Sequence, residues 1–280
     1  MFGDTLVIAG GTAWKDGVKQ WLRDVQIYDA RADQWRQGPA LPQPLAYGPF
    51  TQVDGKLEIY GGSGDGAVSR RVWTLDTSRM HWRIEGRTPA PLLLGRAVRL
   101  GGRVFLFGGC PDVADLTGCS DAVWMREDDG AWKRVARLPA GPVALPAVAA
   151  LHGRVFLFGG CSMPRPGELI NHAQSWAFNP RDFTWSRLRD LPSARRGHTA
   201  SSAADRVFLF GGYTASGFTG EVLSYDPGRD AYTAESPMPV PMTSIEFFPY
   251  HGAFWGAGGE DRMRARSART FSATIPAREQ

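Results

Sequence analysis

Six times along the chain a short apolar run ends in a Gly-Gly pair, and nothing else in the sequence restricts the fold so tightly. The runs are residues 6–9 before Gly10 and Gly11, 57–60 before Gly61 and Gly62, 104–107 before Gly108 and Gly109, 155–158 before Gly159 and Gly160, 207–210 before Gly211 and Gly212, and 253–257 before Gly258 and Gly259. The second glycines fall 51, 47, 51, 52 and 47 residues apart. A period near 50 marks a repeat architecture, in which each unit is a small sheet that cannot bury both faces alone. A continuously apolar run suits a strand covered on both sides. Glycine at its end permits positive φ and close backbone approach near a crowded axis.

A second set of marks keeps the same register. Trp35, Trp82, Trp132, Trp185 and Tyr232 follow successive Gly-Gly pairs, and seven residues before each stands Tyr28, Leu75, Met125, Phe178 or Tyr225. Asp29, Asp76, Asn179 and Asp226 come directly after four of these, as turn-formers do. A Pro-containing connection then leads to the next unit, at Leu41-Pro42, Thr88-Pro89, Leu138-Pro139, Leu191-Pro192 and Met238-Pro239. Each unit therefore reads as four short strands, with first strands expected near residues 46–53, 96–100, 147–151, 198–203 and 244–249. No segment carries a sustained 3.6-residue period between caps, so almost no helix is expected.

Together these marks resemble the kelch repeat, whose fullest copy here is Pro192-Ser-Ala-Arg195-Arg196-Gly197-His198. The resemblance covers the whole chain. It implies an all-β, six-bladed kelch-type β-propeller occupying residues 1–280 as a single domain. The first unit opens at its second strand and the sixth stops after its third, so both terminal blades read as incomplete. Either the sequence is cut from a longer chain or the ring carries a soft seam between blades one and six.

Loops leaving the Gly-Gly strands and those joining successive units should meet on one face, at the mouth of the central channel. That places Thr12, Ser63, Cys110, Cys161, Tyr213 and Glu260 at the mouth, with Tyr47, Arg96, Arg195 and Arg196 from the connections. The longer loops of residues 12–24, 110–121 and 161–174 add Trp14, Lys15, Lys19, Trp21 and His172. Aromatic and guanidinium groups beside a cavity suit sugar stacking or peptide anchoring. Trp14, Tyr47, Arg96, His172, Arg195, Arg196 and Tyr213 are accordingly the candidate ligand-binding residues, and the ligand is a protein partner or a carbohydrate.

Part of the chain also resembles the sialic-acid mutarotases, a kelch group. The residues concerned are Gly11-Thr-Ala-Trp14, Trp21-Leu-Arg-Asp-Val25, residues 41–48, and Gly259-Glu260 with Arg266 six residues on. The resemblance implies Glu260 as general acid/base for opening and closing a sugar hemiacetal, with Arg266 holding the substrate carboxylate. The charged spacer Asp261-Arg262-Met263-Arg264 departs from the family pattern. An isomerase acting on an acidic sugar such as N-acetylneuraminate is therefore the alternative to a binding module, and a scaffold domain of a larger protein is a third reading.

Other chemistries find little support. Galactose oxidase, a related propeller, uses copper, but of five histidines only His172 falls in a candidate loop, so neither metal nor cofactor is expected. P-loop, G-x-S-x-G, H-E-x-x-H and C-x-x-C motifs are absent. The basic residues, nearly all Arg, are scattered and leave a net charge of only +4, which argues against a nucleic-acid surface. No apolar run reaches membrane-spanning length. Three cysteines are too few for a disulfide scaffold. They read as buried free thiols in a reducing, cytoplasmic setting, with a Cys110–Cys119 pair the alternative for an exported protein. Oligomeric state is not legible.

Overall fold

The computed structural model describes residues 3–64 and 67–276. Six antiparallel sheets follow one another along the chain. Blades two to five each have four strands in sequence order from channel to rim. Blade two comprises Phe50–Val53, Lys56–Tyr60, Arg71–Asp76 and His81–Arg87. Blade three comprises Arg96–Leu100, Arg103–Phe107, Ala122–Arg126 and Trp132–Arg137; blade four comprises Ala147–Leu151, Arg154–Phe158, Ser175–Asn179 and Thr184–Leu188. Blade five comprises Thr199–Ala203, Arg206–Phe210, Val222–Asp226 and Ala231–Glu235. Blade one has only the second to fourth strands, Thr5–Ala9, Val25–Asp29 and Gln34–Gln37. Blade six has only the first to third, Phe247–Tyr250, Ala253–Ala257 and Thr270–Thr274. One 3-10 turn, Leu116–Gly118, is the sole helical element among the described residues, and none there is long and apolar enough to cross a membrane.

The repeat marks have direct structural causes. The turn side chain after each aromatic accepts backbone N–H groups: Asp29 Oδ1 from Arg31 and Ala32, Asp76 Oδ1 from Ser78 and Arg79, Asp226 Oδ1 from Gly228 and Arg229. Tyr28, Leu75, Phe178 and Tyr225 sit directly across from Trp35, Trp82, Trp185 and Tyr232. Blade three departs from this, because its longer turn slides Trp132 opposite Arg126. Trp132 there meets Tyr60 of blade two edge-on at 5.8 Å, with the Arg126 guanidinium over its ring. Three first strands begin later than expected, at Phe50, Thr199 and Phe247, because the residues before them belong to a turn at the mouth.

Each full junction between blades is an apolar cluster. Val25 and Ile27 pack on Leu57 and Trp73 between blades one and two; Tyr60 and Val72 meet Val104 and Leu106 between two and three. Phe105 and Phe107 meet Leu157 and Phe178 between three and four, and Phe156 and Phe158 meet Leu209 and Tyr225 between four and five. Phe208 and Phe210 meet Phe247 and Phe254 between five and six. Between six and one no buried cluster forms among the described residues. The contacts there are Tyr28 on Trp255 at 5.9 Å, Arg266 Nη2 to Thr12 Oγ1 at 2.9 Å, and Arg264 over Trp14 at 5.2 Å. This junction, the seam, is the only one without a buried apolar cluster among the described residues.

Candidate functional site

The mouth is built by two layers of loops. The inner layer is a collar of five equivalent residues, one from each connection entering blades two to six: Tyr47, Leu94, Leu145, Gly197 and Ser244. All five have positive φ, between 53° and 64°. Four of the five N–H groups donate to the carbonyl of the residue before them around the ring, Leu94 to Tyr47 at 2.9 Å, Leu145 to Leu94 at 2.8 Å, Gly197 to Leu145 at 3.0 Å and Ser244 to Gly197 at 2.8 Å. Only Gly197 suits that conformation without strain. The others are held in it by the hydrogen bonds of their neighbours, and the collar breaks at the seam.

The outer layer is a set of small hairpins that continue past the Gly-Gly pairs. They are Thr12–Lys15 with Val18–Trp21, Ser63–Gly64 with Ala67–Val68, Cys161–Ser162 with Ile170–Asn171, Tyr213–Thr214 with Gly217–Phe218, and Glu260–Arg262 with Ala265–Arg266. Blade three has the 3-10 turn instead. Single bridges stitch the outer layer to the connections, joining Ala46 to Ser63, Leu93 to Cys110, Ala144 to Cys161, Arg196 to Tyr213 and Thr243 to Glu260. The glycines make this approach possible: a Cβ on Gly211 would lie 2.3 Å from the Met242 carbonyl oxygen.

The candidate residues divide sharply. Arg195 is fully buried; its guanidinium donates to Ser193 Oγ at 2.7 Å and to the Glu221 carboxylate, so it braces the loop and does not face the mouth. Arg96 crosses the channel, with Nη1 2.8 Å from Glu246 Oε1 of blade six and Nε donating to the Pro146 carbonyl at 2.7 Å. Thr199 Oγ1 donates to the other oxygen of Glu246 at 2.8 Å. Arg96 and Glu246 stand in the wall of an axial cavity of about 320 Å3 that Phe50, Ala149, Ser201 and Phe248 also line.

Arg196 and Tyr213 do come together at the rim, guanidinium over ring at 4.3 Å, with Arg196 Nη1 also donating to Asn171 Oδ1 at 2.7 Å. His172 hydrogen-bonds Ser162 Oγ at 2.8 Å, and burial pulls its pKa below the ordinary value. Near the seam, Trp21 and Tyr47 meet edge-on at 5.7 Å with Lys19 Nζ 4.6 Å from both rings. Trp14, paired across the same hairpin with Lys19, stands under Arg264.

Glu260 and Arg266 face each other across one hairpin, Arg266 Nη1 to Glu260 Oε1 at 2.9 Å. The same oxygen accepts the Arg264 N–H at 2.9 Å, while Oε2 has no partner among the described residues.

The cysteines correct the sequence reading. Cys110 and Cys119 form a disulfide that closes the blade-three loop; only Cys161 is a free thiol, and burial raises its pKa to about 11. No group of three or more His, Cys, Asp or Glu side chains gathers as a metal cluster among the described residues. Leu94, Leu145 and Ser244 carry no sequence sign of their collar role; their equivalence to Gly197 could have found them.

Radial sheets around an axial cavity, with a loop collar at one end, define a β-propeller. The chain belongs to the kelch-repeat family: the KLHDC2/KLHL20/DRC7 Kelch-repeats domain matches residues 95–272, and the Kelch motif matches residues 1–42. Among curated proteins it is similar to N-acetylneuraminate epimerase of Haemophilus influenzae, 32% identical over 97 residues, covering 34% of this chain and 26% of the epimerase. It is 27% identical to mouse Kelch-like protein 35 over 141 residues, covering 50% of this chain and 23% of that one. Beta-scruin of Limulus polyphemus is 29% identical over 116 residues, covering 40% of this chain and 13% of scruin. The chain thus spans about a quarter or less of the length of these relatives.

Proposed function

We propose that the chain is a binding module that holds a protein partner on the mouth face of its propeller. The observation that carries this reading is where the apolar surface lies. Of the seven exposed large hydrophobic side chains among the described residues, five belong to the rim hairpins: Val18, Val68, Leu169, Ile170 and Met263. The other two, Trp35 and Ile84, lie on outer strands. Apolar tips around a polar rim are the usual composition of a protein interface. The collar supplies a stiff base, so little ordering is lost on binding. The test is to select binders from a random peptide library and footprint them by hydrogen exchange. Slowed exchange in the rim hairpins is expected; slowed exchange confined to Gln34–Gln37 or His81–Arg87 would contradict the reading.

A second reading, mutarotation of an acidic sugar, is supported by the likeness to the epimerase and by the free Glu260 Oε2 beside Arg266. Glu260 would move the hemiacetal proton, and Arg266 would exchange part of its pairing with Glu260 for the substrate carboxylate. NMR exchange spectroscopy of N-acetylneuraminate anomers tests it. Faster anomer exchange with the protein, lost in Glu260→Gln, supports the enzyme, and unchanged exchange at high protein concentration removes it.

A further inference from the structure

We propose that the rim hairpins of blades one and six together form a docking surface for an acidic protein segment carrying an apolar anchor residue; this rests on the mouth face being the binding face. The two most exposed large apolar side chains among the described residues are Met263, 67% exposed, and Val18, 60% exposed. They stand on these two hairpins, which touch across the seam through Arg266 and Thr12 and through Arg264 and Trp14. Apolar exposure is therefore greatest where the ring itself is held most weakly.

The charge at the same place is one-sided. Residues 12–24 and 259–269 carry seven Lys or Arg against four Asp or Glu. Glu260 and Asp261 are taken by Arg266 and Arg269. Lys15, Lys19, Arg23, Arg262 and Arg264 have no acidic partner among the described residues, and only Asp16 and Asp24 stand against them. On blade three the balance reverses: its loop, residues 110–121, holds Asp112, Asp115 and Asp121 and no basic residue. A carboxylate-rich segment is steered to the seam and away from blade three.

Aromatic rings set the geometry of this surface. Lys19 is held between Trp21 and Tyr47, and Arg264 lies on Trp14, so two cations are pinned at fixed places with their stems on apolar surface. Val18, which shares its hairpin face with Lys15, and Met263 supply what a polyanionic sugar or nucleic acid would not use, a contact for an aliphatic or aromatic side chain beside carboxylates. A segment lying across both hairpins also ties blade six to blade one.

Fluorescence anisotropy with a labelled peptide alternating Glu and Leu tests this, beside a Lys-for-Glu peptide, a Ser-for-Leu peptide and heparin oligosaccharide. The Glu-Leu peptide is expected to bind, to weaken with added salt, and to lose roughly tenfold or more in affinity in the double variants K19E/R264E and V18S/M263S. The variants alter exposed tips, and circular dichroism with thermal melts checks that each still folds. Loss confined to L169S/I170S would leave the mouth reading standing and overturn the seam. Equal binding of the Ser-for-Leu peptide or preference for heparin would overturn the peptide assignment, as would no binding of the Glu-Leu peptide.

Discussion

Arg195 and Arg196 are neighbours in the sequence with the same claim to a ligand, yet one is wholly interior and the other stacks on Tyr213 at the rim. Both lie in the connection before Thr199, where only Arg196 bridges to the Tyr213 hairpin, so composition cannot tell the two apart. Replacing Arg195 by Ala strands Glu221 and Ser193 and is expected to cost about 2–4 kcal/mol, read by chemical denaturation. Arg196→Ala should leave stability within about 1 kcal/mol. His198 behaves like Arg195. Burial, and then the charges of Arg195 and Arg96, push its pKa well below the ordinary 6.5. The unfolded chain therefore takes up a proton at a pH where the folded one does not. Stability is full above about pH 6.5 and falls as pH drops below it towards the folded value. His172 shifts in the same sense, so His198→Gln should reduce the slope of stability against pH between 6.5 and 5 without abolishing it. An unaltered slope would count against the burial argument.

At the scale of the element, nearly all of the blade pattern was legible. Gly-Gly, aromatic-turn and Trp positions each answer a backbone requirement that repeats every blade. What escaped was the mouth. Leu94 and Leu145 adopt the collar conformation by position, without the glycine that would announce it, while the Cys110–Cys119 pairing was legible as an alternative to free thiols and the 3-10 turn between the two cysteines was not. Two comparisons test these causes. Gly217 has φ +106° but open space around it, whereas Gly211 has φ +59° and a carbonyl in the way. Gly217→Ala is expected to cost about 1–2 kcal/mol and Gly211→Ala more than about 3 kcal/mol, measured by thermal unfolding. Intact-mass thiol counting on the unfolded, unreduced protein should find one free cysteine. Reduction should expose three and lower stability by roughly 2–3 kcal/mol, as for closing a short loop. Three free thiols before reduction would contradict the pairing.

On the scale of the whole molecule, five junctions have buried apolar clusters among the described residues, whereas the sixth is made by ring contacts, an arginine hydrogen bond and a cation on an indole. The sequence showed the missing strands on either side of that junction but not the strength of what remains, because contacts between residues some 250 positions apart leave no periodic trace. The same junction carries the most exposed apolar side chains and the largest excess of unpaired cations.

Peptide-resolved hydrogen exchange of the unliganded protein tests this account most directly. A propeller held by five cores and one thin junction predicts that Thr5–Ala9 and Ala253–Ala257 lose protection before Arg103–Phe107, Arg154–Phe158 and Arg206–Phe210. Equal protection across all five strands, or earliest opening within blades three to five, would contradict it.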